Sequence, residues 1–259
     1  FVTYIVMEYI EHKMSAGTRR VVQASGRFGP LIGSIAGIFP QCGFSAAAAS
    51  LYAGRVITRG TLIAIFLSTS DEMLPVFISQ QVPVKVILSV LGMKVVIGMA
   101  AGFLVDVIFL MVKKEPEQEM DIHHMCEHDH CHCEDGILKS AFVHTAQIFF
   151  FIILVSFILN LVIAGIGEES LTEIVLNQPL IGSLISGIVG LIPNCAASVV
   201  ITQLYLDGAM SLGAMMSGLL VGAGVGLIVL YRTNDSLREN LKITVILYVI
   251  GVADRKSVV

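Results

Sequence analysis

The sequence predicts an all-α polytopic membrane protein: an inverted-topology repeat with two re-entrant (broken) helix hairpins. Three observations carry that prediction. The 259 residues are 55% hydrophobic and 14% charged, with a mean hydropathy of +0.84, more apolar than a soluble core of that size requires. Gly29 to Leu67 and Gly182 to Leu220 are one element written twice, aligned without a gap at an offset of 153 and identical at 12 of 39 positions. Finally, the basic residues collect on one side of a membrane only if each copy returns to the face it came from.

The matches include Gly37/Gly190, Pro40/Pro193, Cys42/Cys195, Ser45/Ser198, Tyr52/Tyr205 and Gly60/Gly213. Pro, Cys and Tyr are not residues that Gly/Ala-rich membrane helices share by default, so chance similarity is the weaker explanation. Each copy is an apolar run interrupted by a polar Pro-x-Cys. Duplicated segments interrupted at matching positions are the sequence mark of a secondary transporter and its binding site. The 24 glycines fit helix packing in lipid, where small residues let backbones approach.

Along the chain, Phe1 to Ile10 read as the tail of a helix whose start is missing, and no signal peptide is visible. Apolar runs follow at 29–53, 60–80, 86–112, 141–166, 180–205, 210–231 and 239–253, most of them near the roughly 20 residues that a crossing needs. The expected organisation is a first membrane repeat at 1–112, truncated at its N-terminus, a His/Cys-rich loop at 113–140 and a second repeat at 141–253, truncated at its C-terminus. The last six residues, 254–259 (DRKSVV), read as a translated sequencing adapter, so Arg255 and Lys256 receive no role.

Runs 29–53 and 180–205 can each be one kinked span or a hairpin of two half-helices. If both are hairpins, loops 11–28, 54–59, 113–140 and 231–242 share one face and hold 12 basic residues, while the other face holds only Lys85. Two simple spans would scatter these charges. The positive-inside bias therefore favours hairpins, with loop 113–140 in the cytosol. Three crossings lie between the hairpins, so they enter from opposite faces and their tips meet near the midplane. Irregular backbone at that depth is tolerated where it is buried or lines a cavity.

The tips are Pro40-Gln41-Cys42-Gly43 and Pro193-Asn194-Cys195-Ala196. Gln41 and Asn194 offer amides, Cys42 and Cys195 soft thiols, and each second half-helix a positive dipole end. Buried packing is the competing role for the two cysteines. Ser68-Thr69-Ser70-Asp71-Glu72 lies inside the 60–80 run, ahead of Pro75. Two acids at membrane depth are costly and are functional by default, although an acid pair at a broken, interfacial helix end is the alternative. The second copy has Gly222-Ala223-Gly224-Val225-Gly226 there, which leaves room for a substrate or lets a helix unwind. Lys94 lies within the 86–112 run. It can neutralise Asp71 or Glu72, snorkel to a surface, or hold an anionic substrate. Asp106 and His144 read as interfacial, and Asn160 as an interhelical hydrogen-bonding residue.

Loop 113–140 carries His123, His124, Cys126, His128, His130, Cys131, His132 and Cys133, eight imidazole or thiol ligands within eleven residues. No periodic apolar pattern accompanies them. The composition reads as metal binding, suited to Zn, Cu, Ni or Co, with carboxylates to add Mn or Fe. A cytosolic position argues against disulfides, and the density argues against one structural zinc site.

The segments FPQCGFSAAAASLYAGRVITRGTLIAIFLSTSDEMLP, CEHDHCHCEDGILKS and GLIPNCAASVVITQLYLDGAMSLGAMMSGLLVGAGVGL closely resemble a bacterial family known as arsenic efflux proteins, ten-helix heavy-metal exporters or manganese transporters. The resemblance covers nearly all of residues 1–253. It implies export of a heavy metal or metalloid from the cytosol, with the family's central segments falling on Pro40 to Gly43, Ser68 to Glu72 and Pro193 to Cys195. Its names disagree on the ion.

The combined expectation is a multi-pass transporter of the bacterial cytoplasmic membrane that exports Mn2+ or a similar divalent metal, with proton exchange as coupling. The pathway residues are Gln41, Cys42, Ser68, Thr69, Ser70, Asp71, Glu72, Lys94, Asn194 and Cys195. Among these Asp71, Glu72, Cys42 and Cys195 are metal ligands, and the His/Cys loop gathers the ion. A metalloid or oxyanion exporter is the first alternative, and a metal-sensing membrane protein without transport the second. No nucleotide-binding loop and no catalytic constellation at one depth is visible, so no enzyme is expected. The expected partners are the bilayer, the metal or metalloid and a second copy in a homo-oligomer. Neither a nucleic acid nor a tightly bound cofactor is expected.

Overall fold

The computed structural model describes residues 26–38, 42–70, 73–112, 179–193 and 195–253, with single helical positions between 146 and 161. Gln41, Asp71, Glu72, Asn160, Asn194, the whole of 113–140, His144 and 254–259 lie outside the described residues. A 3-10 turn at Gly26–Phe28 leads into α1 (Gly29–Ala36), α2 (Cys42–Ala53), α3 (Arg59–Ser68), α4 (Met73–Ser79) and α5 (Val84–Val112). The second series is α6 (Pro179–Gly190), α7 (Cys195–Leu206), α8 (Leu212–Val221), α9 (Val225–Thr233) and α10 (Leu237–Ala253).

The two series match helix for helix at the sequence offset. Helices α2 and α7 begin at Cys42 and Cys195 and end at Ala53 and Leu206, both 153 apart, as are the starts of α5 and α10 at Val84 and Leu237. The caps repeat too. Thr58 Oγ1 accepts from the Thr61 amide at the start of α3, and Ser211 Oγ accepts from the Ala214 amide at the start of α8. A hydroxyl at this position satisfies one of the four amides that a helix start leaves without partners.

Each series is broken twice. The Pro-x-Cys segments separate α1 from α2 and α6 from α7. Proline bars the residue before it from helical backbone, so Ile192 ends the turn after α6. The runs read as continuous at 60–80 and 210–231 are also divided, into α3 and α4 and into α8 and α9. The two halves reach this second break by different means. In the first, the Thr69 hydroxyl donates to Ile65 O at 2.7 Å, the carbonyl its own amide uses at 3.0 Å. Pro75 then opposes helix through its ring and the carbonyl four residues back. In the second, Gly222 leaves the helix and Gly224 takes φ 54°, ψ −142°, a region essentially reserved for glycine.

The broken helices form the centre. Every residue from Gly60 to Ser68 and from Gly213 to Val221 is buried, as expected of helices apolar on all sides. Helix α3 packs between α1 and α5, and α8 between α6 and α10. The halves then exchange partners: α2 packs on α9, and α7 packs on α4. Among the described residues, three segments are long and apolar enough to cross a membrane, and their burial separates inner from outer. Arg59–Ser79 and Leu212–Thr233 are 75% and 78% buried, whereas Val84–Phe109 is 33% buried and presents Val84, Leu88, Val96, Leu104 and Met111 outward. An exposed apolar face of that length is a lipid-facing surface.

Glycine sets the closest approach within each half. A Cβ on Gly37 would lie 2.9 Å from Ile65 O, and one on Gly190 would collide with Gly218 O. Ile65 and Gly218 are again 153 apart. Apolar side chains gain little by leaving lipid for one another, so such backbone contact supplies much of the association between membrane helices.

Candidate functional site

The second pair of breaks faces a buried lysine. Lys94, on α5, is 1% exposed. Its ammonium donates to Thr69 O, the first carbonyl beyond α3, and at 2.9 Å to Leu219 O near the end of α8. The last four carbonyls of a helix lack intrahelical partners and carry the negative end of its dipole, so they attract cations. One ammonium thus caps a helix end from each half. Its counterpart in the second series, at the 153 offset, is Leu247, also fully buried.

A cavity adjoins this contact. From the first half it is lined by Thr69, Ser70, Met73 and Lys94, and from the second by residues that include Gly190, Ile192, Ser198, Gly222 and Gly224. It holds about 30 Å³ of space for the centres of water-sized molecules. One water needs roughly 10–15 Å³ on that measure, so the space suits a stripped ion or a few waters. Its wall pairs hydroxyls and carbonyls from one break with glycines from the other, and the missing side chains of Gly222 and Gly224 make the room.

Of the sequence-predicted pathway residues, Thr69, Ser70 and Lys94 line this cavity, and Ser68 precedes them as the last residue of α3. The Ser68 hydroxyl donates to Ile65 O at 3.1 Å. The Ser70 hydroxyl donates at 2.6 Å to Ile38 O, which ties the first break to the turn that precedes Pro40. Ile192, just before Pro193, lines the cavity, as do Ala197 and Ser198 in the first turn of α7. Cys42 and Cys195 open α2 and α7. Gln41, Asp71, Glu72, Asn194 and the ligands His123, His124, Cys126, His128, His130, Cys131, His132 and Cys133 lie outside the described residues. Among the described residues, no three His, Cys, Asp or Glu side chains form a group that could hold a metal.

A second polar cluster, not anticipated from the sequence, joins the halves at one end. Glu239, in the first turn of α10, accepts from Arg55 Nη2 at 3.1 Å and is ion-paired with Arg59. Arg59 Nε donates to the Tyr52 hydroxyl at 3.0 Å, and that hydroxyl donates to Glu239 at 3.4 Å. The Arg59 guanidinium also stacks 4.7 Å from the Phe109 ring centroid. Nearby, Asp106 accepts from Thr58 Oγ1 and from the Gly60 amide, each at 2.8 Å, so it caps α3 at the same end. The signal that could have found Glu239 is a lone acid at 239 between Arg238 and Lys242, in a loop otherwise counted for its positive charge.

A family model described as "Putative, 10TM heavy-metal exporter" matches residues 1–165. No curated protein and no solved structure matches the chain.

Proposed function

The chain belongs to this family of ten-helix heavy-metal exporters, and from that premise we propose that it is a secondary-active transporter carrying a divalent metal cation, Mn2+ or a similar ion, out of the bacterial cytosol. The observation that carries this reading is the cavity at the two helix breaks, where carbonyl oxygens of both halves already hold a positive charge. Carbonyl and hydroxyl oxygens at a helix C-terminus suit a hard cation. Asp71 and Glu72 follow directly on Thr69 and Ser70; they supply the carboxylates and the protons for exchange. Cys42, Cys195, Gln41 and Asn194 at the two tips complete the pathway. The His/Cys loop gathers metal in the cytosol before it enters.

Parity supports hairpins that return to their own face. Arg55 and Arg59 touch Glu239, so loops 54–59 and 231–242 lie at the same end. Runs 60–80, 86–112, 141–166 and 210–231 separate them. With 141–166 read from its composition as a span, four crossings restore the starting face, which supports a hairpin at 180–205 and, through the duplication, at 29–53. Hairpins that enter from opposite faces would relate the two halves as an inverted repeat.

A metalloid or oxyanion substrate is the second reading, favoured by the Lys94 ammonium in the cavity wall. Flux into liposomes under an imposed pH gradient, measured for Mn, Zn, Co, Ni and arsenite, separates the two. In cells, Asp71→Asn and Glu72→Gln should abolish metal tolerance, whereas Ser at Cys126, Cys131 and Cys133 should only lower it. Unchanged tolerance in both acid variants rejects the proposed site.

A further inference from the structure

We propose that Lys94 is a tethered competitor for the transported cation: its ammonium occupies the carbonyl pair of Thr69 and Leu219 until a divalent ion displaces it. This rests on the cation-export reading and deepens it. The ammonium is a single charge on a flexible four-carbon stem. It sits where helix-end carbonyls from both halves converge, at the wall of a cavity with room for a bare ion. Each carbonyl accepts from Lys94, so a metal bound to those oxygens would sit beside the ammonium, and repulsion between the two positive charges drives the ammonium off.

Displacement sets the selectivity. A monovalent cation would replace one unit charge with another, lose its own water and gain nothing over the ammonium already held at no cost in translational freedom. A divalent cation brings twice the charge to the same oxygens and wins the exchange. An anion would meet the carbonyl oxygens with the wrong sign. The duplication gives an internal contrast, because position 247 holds a leucine in place of the lysine: the competitor is built into one half only.

The deciding quantity is the sign of the change in metal affinity. Binding of Mn2+ and of Na+ to purified protein in detergent is measured for the wild type, Lys94→Gln and Lys94→Arg. Removing the tethered charge should tighten Mn2+ binding at least tenfold in Lys94→Gln and make Na+ binding measurable, while Lys94→Arg stays as weak as the wild type or weaker. Unchanged or weaker Mn2+ binding in a folded Lys94→Gln overturns the proposal and leaves lysine as a structural brace or an anion ligand. A second measurement needs no variant. Modification of Lys94 by an uncharged amine reagent, followed by peptide mass spectrometry, should rise on addition of Mn2+ as the ammonium leaves its carbonyls. A constant or reduced yield also overturns it. Failure of the wild type and every variant to bind any of these ions would instead remove the cation-export reading beneath.

Discussion

Replacing Glu239 by glutamine should destabilise the protein more than any single surface charge could. The carboxylate is the only negative group described between Arg55 and Arg59, and the three side chains are 17–20% exposed. Glutamine keeps the shape and leaves two guanidinium charges facing each other. Removing one partner of a fully buried pair costs about 3–5 kcal/mol, and breaking an exposed pair costs about 0–1 kcal/mol. The partial exposure places this cluster between those limits, at about 2 kcal/mol. For a chain of this size each kcal/mol moves Tm by about 2–4 °C, so the expected drop is about 4–8 °C by thermal unfolding in detergent. Because the cluster is mostly withdrawn from solvent, the drop should persist at high salt. The Glu239→Gln/Arg59→Met cycle should show a coupling of about 1–2 kcal/mol. A Tm within about 1 °C of the wild type, or additive single changes, would refute the cross-link between the halves.

Two further outcomes follow from the repeated local geometry. Ser211→Ala removes only a helix cap and should cost about 1 kcal/mol, whereas Thr58→Ala removes a cap and a hydrogen bond to Asp106 and should lower Tm about twice as far. Gly190→Ala forces a Cβ against Gly218 O and should cost about 1–3 kcal/mol through overpacking, while Gly92→Ala, with nothing within 4 Å of the added methyl, should leave yield unchanged and Tm unchanged or slightly higher, since alanine is the better helix former.

Much of this architecture was legible because the residues that shape it have no substitutes. A proline in an apolar run marks a break wherever it stands, so the interruptions at Pro40 and Pro193 could be placed from sequence. The division of 210–231 was harder. Gly222 to Gly226 permits unwinding, but glycine is also common in intact membrane helices, and only the positive φ of Gly224 makes the break necessary. Lys94 stood out by its depth. Its acceptors did not, because a carbonyl at Thr69 or Leu219 leaves no trace in residue identity. The Arg55, Arg59 and Glu239 contact spans about 180 positions of sequence. Loop charge assigned the two arginines to a face and could not say that an acid there would meet them.

The duplication kept shape and diverged in charge, and the backbone records the difference. Gly37 and Gly190 and Thr58 and Ser211 serve both halves alike, because helix crossing and capping impose the same steric demand on each. Charge cannot be copied so freely. A second buried ammonium at position 247 would add several kcal/mol of desolvation, and leucine stands there. At the loop after the Pro-x-Cys helix, the second half has Gly208 at φ 74°, while the first has Arg55 at φ 58°. A side chain in that left-handed region costs about 1–2 kcal/mol. The first half therefore makes the same turn as the second at the expense of strain, and the arginine held there reaches across to Glu239. Strain accepted in one copy, at the end that carries the positive loops, is what a symmetric scaffold needs if its two ends are to differ.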